Sequence, residues 1–189
     1  MPLSKQDRTT LLQIATDSIC HGLSNGHALP VLIGNHSDDL KAHRASFVTL
    51  NRLGNLRGCI GHLEAINPLV KDVADNAFAA AFQDPRFPQL TNGELAGLEI
   101  HISVLTPATP MVFSSEENLI SQLSPGQDGL ILKEGAKQGT FLPSVWESLP
   151  RPEEFLKHLK LKARLPAAYW SDTIKVYRYE TESFSSKTT

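Results

Sequence analysis

Cysteine is scarce in this chain: there are two in 189 residues, Cys20 and Cys59. They form no C-x-x-C pair, which excludes a disulfide framework and a cysteine-rich zinc site, and both thiols are expected to be reduced. No run approaches the roughly 18 consecutive apolar residues that cross a bilayer. The opening MPLSKQDRTT holds no apolar stretch of signal-peptide type, so a cytoplasmic protein with no membrane partner is expected. Positive charge is not in excess either. The 18 Lys and Arg stand against 20 Asp and Glu, a balance that does not favour a broad nucleic-acid surface. P-loop, G-x-S-x-G and G-x-G-x-x-G patterns are missing, which removes support for the common nucleotide and hydrolase chemistries. The seven histidines lack helical i, i+4 partnering, and His62-Leu63-Glu64 lacks the P-C-x-x-C companion of zinc deaminases. No metal and no cofactor is expected.

What is present describes an ordinary globular protein, 41% hydrophobic and 20% charged, long enough to bury a core without disulfides. Ser4 reads as the cap of a helix through Leu11, Leu12, Ala15 and Ile19 that stops at Gly22. SFVTL and LRGCIGHL read as strands joined by the turn NRLGN. Asn67 and Pro68 open a helix whose stripe runs from Leu69 to Ala81. LEIHISVL alternates as a strand, with Glu99, His101 and Ser103 outward. TNGE and SSEE are capping boxes, GLILKEGAKQGTFLP is a hairpin turning at GAKQ, Pro152 opens a last helix, and TIKVYRYE is a last strand. Only SSKTT looks like a loose tail. Strands and helices mix without a βαβ rhythm, so the fold class is α+β with a mostly antiparallel sheet flanked by helices. No repeat or linker divides the chain, and residues 1–189 read as a single domain with an ordered core over about 11–184.

The chemistry-bearing stretch is LRGCIGHLE, residues 56–64. Strict alternation puts Arg57, Cys59 and Gly61 on one strand face. A free thiol is only about 3% ionised at pH 7, and half-ionising it takes about 2 kcal/mol. An arginine about 7 Å away supplies ~0.6 kcal/mol in water but ~2.4 kcal/mol at an effective dielectric of 20, so only a sheltered site would activate Cys59. Gly58 and Gly61 admit either a ligand or another backbone close by, and Cys59 itself is either a nucleophile or a small packing residue. GCIG also fits the G-x-x-G of KH loops, but it lies in an extended run rather than between helices. Lys157, Lys160, Lys162 and Arg164 form the best phosphate-contact candidate, or else a solvated helix face.

Taken together, SFVTL, LRGCIG, DPRFPQLTNGEL, ISVLTP and GTFLPSVW resemble the AMMECR domain family, whose bacterial and archaeal members are called AmmeMemoRadiSam system protein A. The resemblance runs from about Leu11 to Phe184. It implies two unequal lobes around an antiparallel sheet, with the Leu56-to-Gly61 signature near a cleft. It also implies two partners, a Memo-type protein and a radical S-adenosylmethionine enzyme. The family's Leu-Cys-x-Lys-Ala-Gly-Leu block corresponds here to Leu159 through Leu165, with Lys160 in place of the usual cysteine and Arg164 in place of the glycine. Two-thiol chemistry is thereby excluded, and a left-handed backbone at Arg164 is disfavoured. The expected site joins Cys59 as nucleophile to Arg57, Gly58, Gly61, Asp84 and Arg86 as binding residues for a small anionic or peptidic substrate. Asp84 and Arg86 also read as a salt bridge tying the loop after the helix to the sheet. The competing reading is a non-enzymatic adaptor or nucleic-acid-associated protein with a structural Cys59.

Overall fold

The structure, a computed structural model, describes residues 2–186. Ser4 caps α1 (Lys5–Asn25) by accepting the Asp7 N–H at 3.0 Å, and Gly26 ends it in left-handed geometry, φ 76°. The stop expected at Gly22 is corrected. Gly22 lies inside the helix, where the rings of Phe78 and Phe82 leave no room for a Cβ. In the connection that follows, Ser37 caps the short α2 (Asp38–Lys41).

β1 (Ser46–Arg52) and β2 (Asn55–Gly61) form the expected hairpin. Its two-residue turn, Leu53-Gly54, has positive φ at both positions, 52° and 79°, the geometry that matches the strand twist. α3 (Leu69–Phe82) starts one residue later than the Asn67-Pro68 pair suggests: Pro68 holds the cap position and the Ala42 carbonyl takes the Leu69 N–H. β3 (Leu98–Leu105) pairs antiparallel with β1, and β8 (Thr181–Ser185) completes a sheet of order β2-β1-β3-β8. Val48, Leu50, Ile100 and Ile102 point at α1 and α3, and their core includes Leu11, Ile19, Val73 and Ala77. The alternate residues, Thr49, Asn51, Glu99 and His101, therefore take the opposite face.

One buried polar knot fixes the start of β1. Asp72, with no solvent exposure, accepts the Ser46 N–H at 3.0 Å, the Ser46 hydroxyl at 2.6 Å and the Asn76 amide at 2.9 Å on Oδ2, while His62 Nδ1 lies 3.1 Å from Oδ1. Burial is the largest influence on this carboxyl and pushes it above its ordinary value.

Thr106 to Thr181 form a second unit, whose sheet has the order β4-β7-β5-β6. Its elements are β4 (Thr109–Pro110), α4 (Glu116–Ser121), β5 (Gly129–Glu134), β6 (Lys137–Phe141), α5 (Pro152–Lys162) and β7 (Lys175–Tyr179). Its own core gathers Leu119, Leu130, Leu132, Leu156 and Val176 around Trp146, which stacks on Phe155 at 3.8 Å. The α+β class holds, with two antiparallel sheets. TIKVYRYE and the residues after it become two strands in different sheets, and Ser186 N–H donates to the Ile100 carbonyl. Ser185 and Ser186 of the expected loose tail are thus pinned, and residues 187–189 lie outside the described residues.

The end of α5 overturns two expectations. Lys160 is buried, its Nζ 2.6 Å from Glu116 Oε1, and so leaves the phosphate-contact candidate. Arg164 does adopt the left-handed backbone, at φ 61°. The bonds Leu165 N–H to Lys160 O and Arg164 N–H to Leu161 O, both 2.9 Å, complete a Schellman motif that needs this geometry. A non-glycine residue there costs about 1 kcal/mol. Arg164→Gly is expected to raise the unfolding free energy by roughly that amount in urea titrations, and Leu53→Asn in the hairpin turn by a similar amount.

Candidate functional site

β2 lies at the edge of its sheet, with β1 as its one neighbour. The N–H and C=O of an edge residue that point away from the sheet need partners. At Cys59 they find side chains. The Cys59 N–H donates to Asp84 Oδ2 at 2.9 Å, and Arg86 Nη2 donates to the Cys59 carbonyl at 3.3 Å. Asp84 and Arg86 thus do for β2 what another strand would do. Because both Cys59 backbone groups point outward, Cys59 and the opposing Thr49 are a non-hydrogen-bonded pair, the kind with the closer side chains. Cys59 Sγ lies 3.1 Å from Thr49 Oγ1.

Asp84 is 4% exposed and receives four donors. Oδ1 takes the Arg86 N–H and Nε, and Oδ2 takes Arg86 Nη2 at 2.7 Å besides Cys59. The Arg86 guanidinium is the largest influence, and it holds this carboxyl well below the usual carboxylate range. Arg57 is clamped as well. Leu50 faces Gly58 but Asn51 faces Leu56, so Arg57 is the extra residue of a β-bulge and the strict alternation expected of this strand ends there. Its Nε meets Glu94 Oε1 at 2.7 Å, while Nη2 reaches Glu94 Oε2 and the Pro88 carbonyl. Glu94 is brought down to about 2, chiefly by Arg57 and then by the Thr91 N–H. Phe87 stands between the two arginines, its ring centre 6.0 Å from Arg57 Cζ and 5.5 Å from Arg86 Cζ.

The glycines are accounted for by packing. A Cβ on Gly58 would strike the Ala80 carbonyl of α3, and one on Gly61 would strike the Phe47 ring and the Ser46 carbonyl. Of the six expected site residues, Cys59, Asp84 and Arg86 come together, Arg57 turns to Glu94, and Gly58 and Gly61 let the strand lie close to its neighbours. Arg86 keeps 55% of its side chain exposed, Arg57 only 11%.

Two neighbours of the thiol were missed from sequence. Thr49 is directly opposite Cys59 on one side and His101 on the other, so the three share a row across β2, β1 and β3 on the face turned from the helices. Their outward phase in SFVTL and LEIHISVL was readable; the register that aligns them was not. His101 Nε2 is enclosed without a hydrogen-bond partner, and Glu99 Oε2 is 3.9 Å away.

Glu94→Gln and Asp84→Asn are each expected to cost about 2 kcal/mol at pH 7 by weakening charge-assisted bonds. Both carboxylates are lowered in the folded state, so their stabilisation is complete above their ordinary values and is lost as pH falls toward the folded ones. For Glu94 the window runs from 4.5 down to about 2. Acid unfolding followed by circular dichroism should show a shallower pH dependence over this range in Glu94→Gln. Asp72, raised by burial, acts with the opposite sign.

The AMMECR1 family model matches residues 12–184. A protein of Methanothermobacter thermautotrophicus is 36% identical over 189 residues, covering 97% of this chain and 96% of its own. A protein of Thermotoga maritima is 38% identical over 146 residues, covering 76% and 79%. The crystal structure of the uncharacterized protein PH0010 from Pyrococcus horikoshii superimposes with a TM-score of 0.84 at 34% identity, covering 93% of this chain and 89% of that one. With Leu-Arg-Gly-Cys-Ile-Gly on its edge strand and Asp-Pro-Arg-Phe latched to it, the chain belongs to the AMMECR1 family.

Proposed function

We propose that the half-buried face around Cys59 binds or processes a small anionic or peptidic substrate, with the Cys59 sulfur as the nucleophile that meets it. One observation carries this reading: a half-buried thiol sits 3.1 Å from a hydroxyl on the face away from the helices, while a latch outside the sheet fixes its backbone N–H and carbonyl. The half-exposed Arg86 guanidinium supplies positive charge beside the thiol, and Thr49 Oγ1 fixes the sulfur's direction. Arg57 acts as a positioning residue, since its guanidinium is already committed to Glu94 and Pro88. The modification pathway with a Memo-type protein and a radical S-adenosylmethionine enzyme, implied by the family resemblance, is part of the same proposal.

The test is alkylation of the native protein in a Cys20→Ser background, since Cys20 is exposed. Iodoacetamide is expected to label Cys59 without denaturant, and Thr49→Val is expected to change the rate several-fold while the circular dichroism spectrum stays unchanged. Absence of labelling until the chain is unfolded would overturn the reading and leave Cys59 a packing residue. Reconstitution with the two partner proteins should lose product with Cys59→Ser and keep it with Lys157→Gln.

A further inference from the structure

Residues directly opposite in an antiparallel pair have Cβ atoms about 5 Å apart, and like charges placed there repel. β5 and β7 put Lys133 and Lys175 in that relation. Among the described residues neither ammonium is ion-paired to a carboxylate. Tyr177, two residues along β7 and on the same face as Lys175, has its ring centre 5.5 Å from Lys133 Nζ. The ring therefore holds one ammonium over the face that carries the other. These side chains line an open depression of about 580 Å³ together with Gly135, Asp172 and Thr173. The Tyr177 hydroxyl has no hydrogen bond among the described residues, so it remains a free donor at the same place. The arrangement lies wholly within the second unit and owes nothing to Cys59.

We propose that this depression binds a phosphate group, free or carried on a small molecule, between Lys133 and Lys175. A phosphate near two units of negative charge matches two ammonium groups and relieves their repulsion, and lysine serves phosphate as a compact point charge. A single carboxylate would leave one ammonium uncompensated. Tyr177 Oη is the third donor. Asp172 lies in the same depression and opposes the anion, which sets the direction of its variant.

The experiment is thermal unfolding and calorimetric titration of the whole chain in chloride buffer at constant ionic strength, with inorganic phosphate or adenosine monophosphate as the probe. Inorganic phosphate is expected to raise the wild-type midpoint. Lys133→Gln and Lys175→Gln are each expected to weaken binding about tenfold, and Asp172→Asn to strengthen it. In chloride alone, Lys175→Gln should be no less stable than wild type, because the repulsion is gone, and that also shows that the variant folds. Adenosine monophosphate binding better than inorganic phosphate identifies an ester ligand; equal binding identifies the free ion. No phosphate-dependent shift in the wild type, or the same shift in both lysine variants, overturns the proposal.

Discussion

The bond from the Cys59 amide to the Asp84 carboxylate settles how the first sheet ends. An edge strand offers amides and carbonyls to any passing strand, and proteins suppress that by covering or charging the edge. Here the cover is the segment after α3. α3 ends at Phe82, Pro85 keeps Asp84 out of helical geometry, the chain doubles back, and Arg86 closes on Asp84 and the Cys59 carbonyl together. The fold then continues along β2. Phe87 separates the arginines, Pro88 accepts from Arg57, the Leu90 N–H returns to Ala81 of α3, and Glu94 receives Arg57. Without the carboxylate, the Cys59 N–H would lose its acceptor and Arg86 its anchor within the loop, so LRGCIG and DPRF form one structural unit.

Two buried carboxylates in this unit show what decides their state. Asp72 and Asp84 each collect hydrogen bonds on both oxygens, and neither is more than a few per cent exposed. They move in opposite directions nonetheless. Asp84 faces a permanent cation, whose bonds outweigh burial; Asp72 faces hydroxyl, amide and imidazole groups, and burial outweighs them. The guanidinium bonds are the largest influence on Asp84, and burial is the largest on Asp72. The Asp84 latch is therefore strongest as an ion pair, whereas Asp72 serves as a rigid acceptor joining β1, α3 and His62.

Much of this was legible in the residues. Ser4 caps the helix its position announces, and Thr91 and Glu94 bond as TNGE suggests, while SSEE misses by one residue: Ser115, not the Ser114 that would pair with Glu117, caps α4. The salt-bridge reading of Asp84 and Arg86 matches their contacts. Alternation failed at Arg57 because a bulge is a matter of register, which depends on the partner strand as much as on the strand itself. Gly22 looked like a helix stop because glycine ends helices and also admits close neighbours; two aromatic rings 56 and 60 residues further on decide between these uses. The division of the last apolar run between two sheets carries no local signal, since Glu180 between β7 and β8 is an ordinary exposed residue. The row of Cys59, Thr49 and His101 was hidden for the same reason: each residue announces its face, and only the pairing aligns them.

The end of α5 shows how one helix terminus absorbs two departures from the family pattern. Lys160 stands where the resemblance expects cysteine, and Arg164 where it expects glycine. A long cation at this buried position is tolerable only if its ammonium is paired, and Glu116 in the first turn of α4 supplies the carboxylate. The Lys160 carbonyl also accepts the Leu165 N–H, so the same residue anchors the turn that forces Arg164 to positive φ. Leu165, buried in the second core, holds the chain in that turn. The strain at Arg164 therefore persists because hydrogen bonds and an apolar anchor on both sides of it fix the backbone, and the arginine side chain, being exposed, meets no further obstacle. Lys160 ties α5 to α4 where a cysteine would only have filled space.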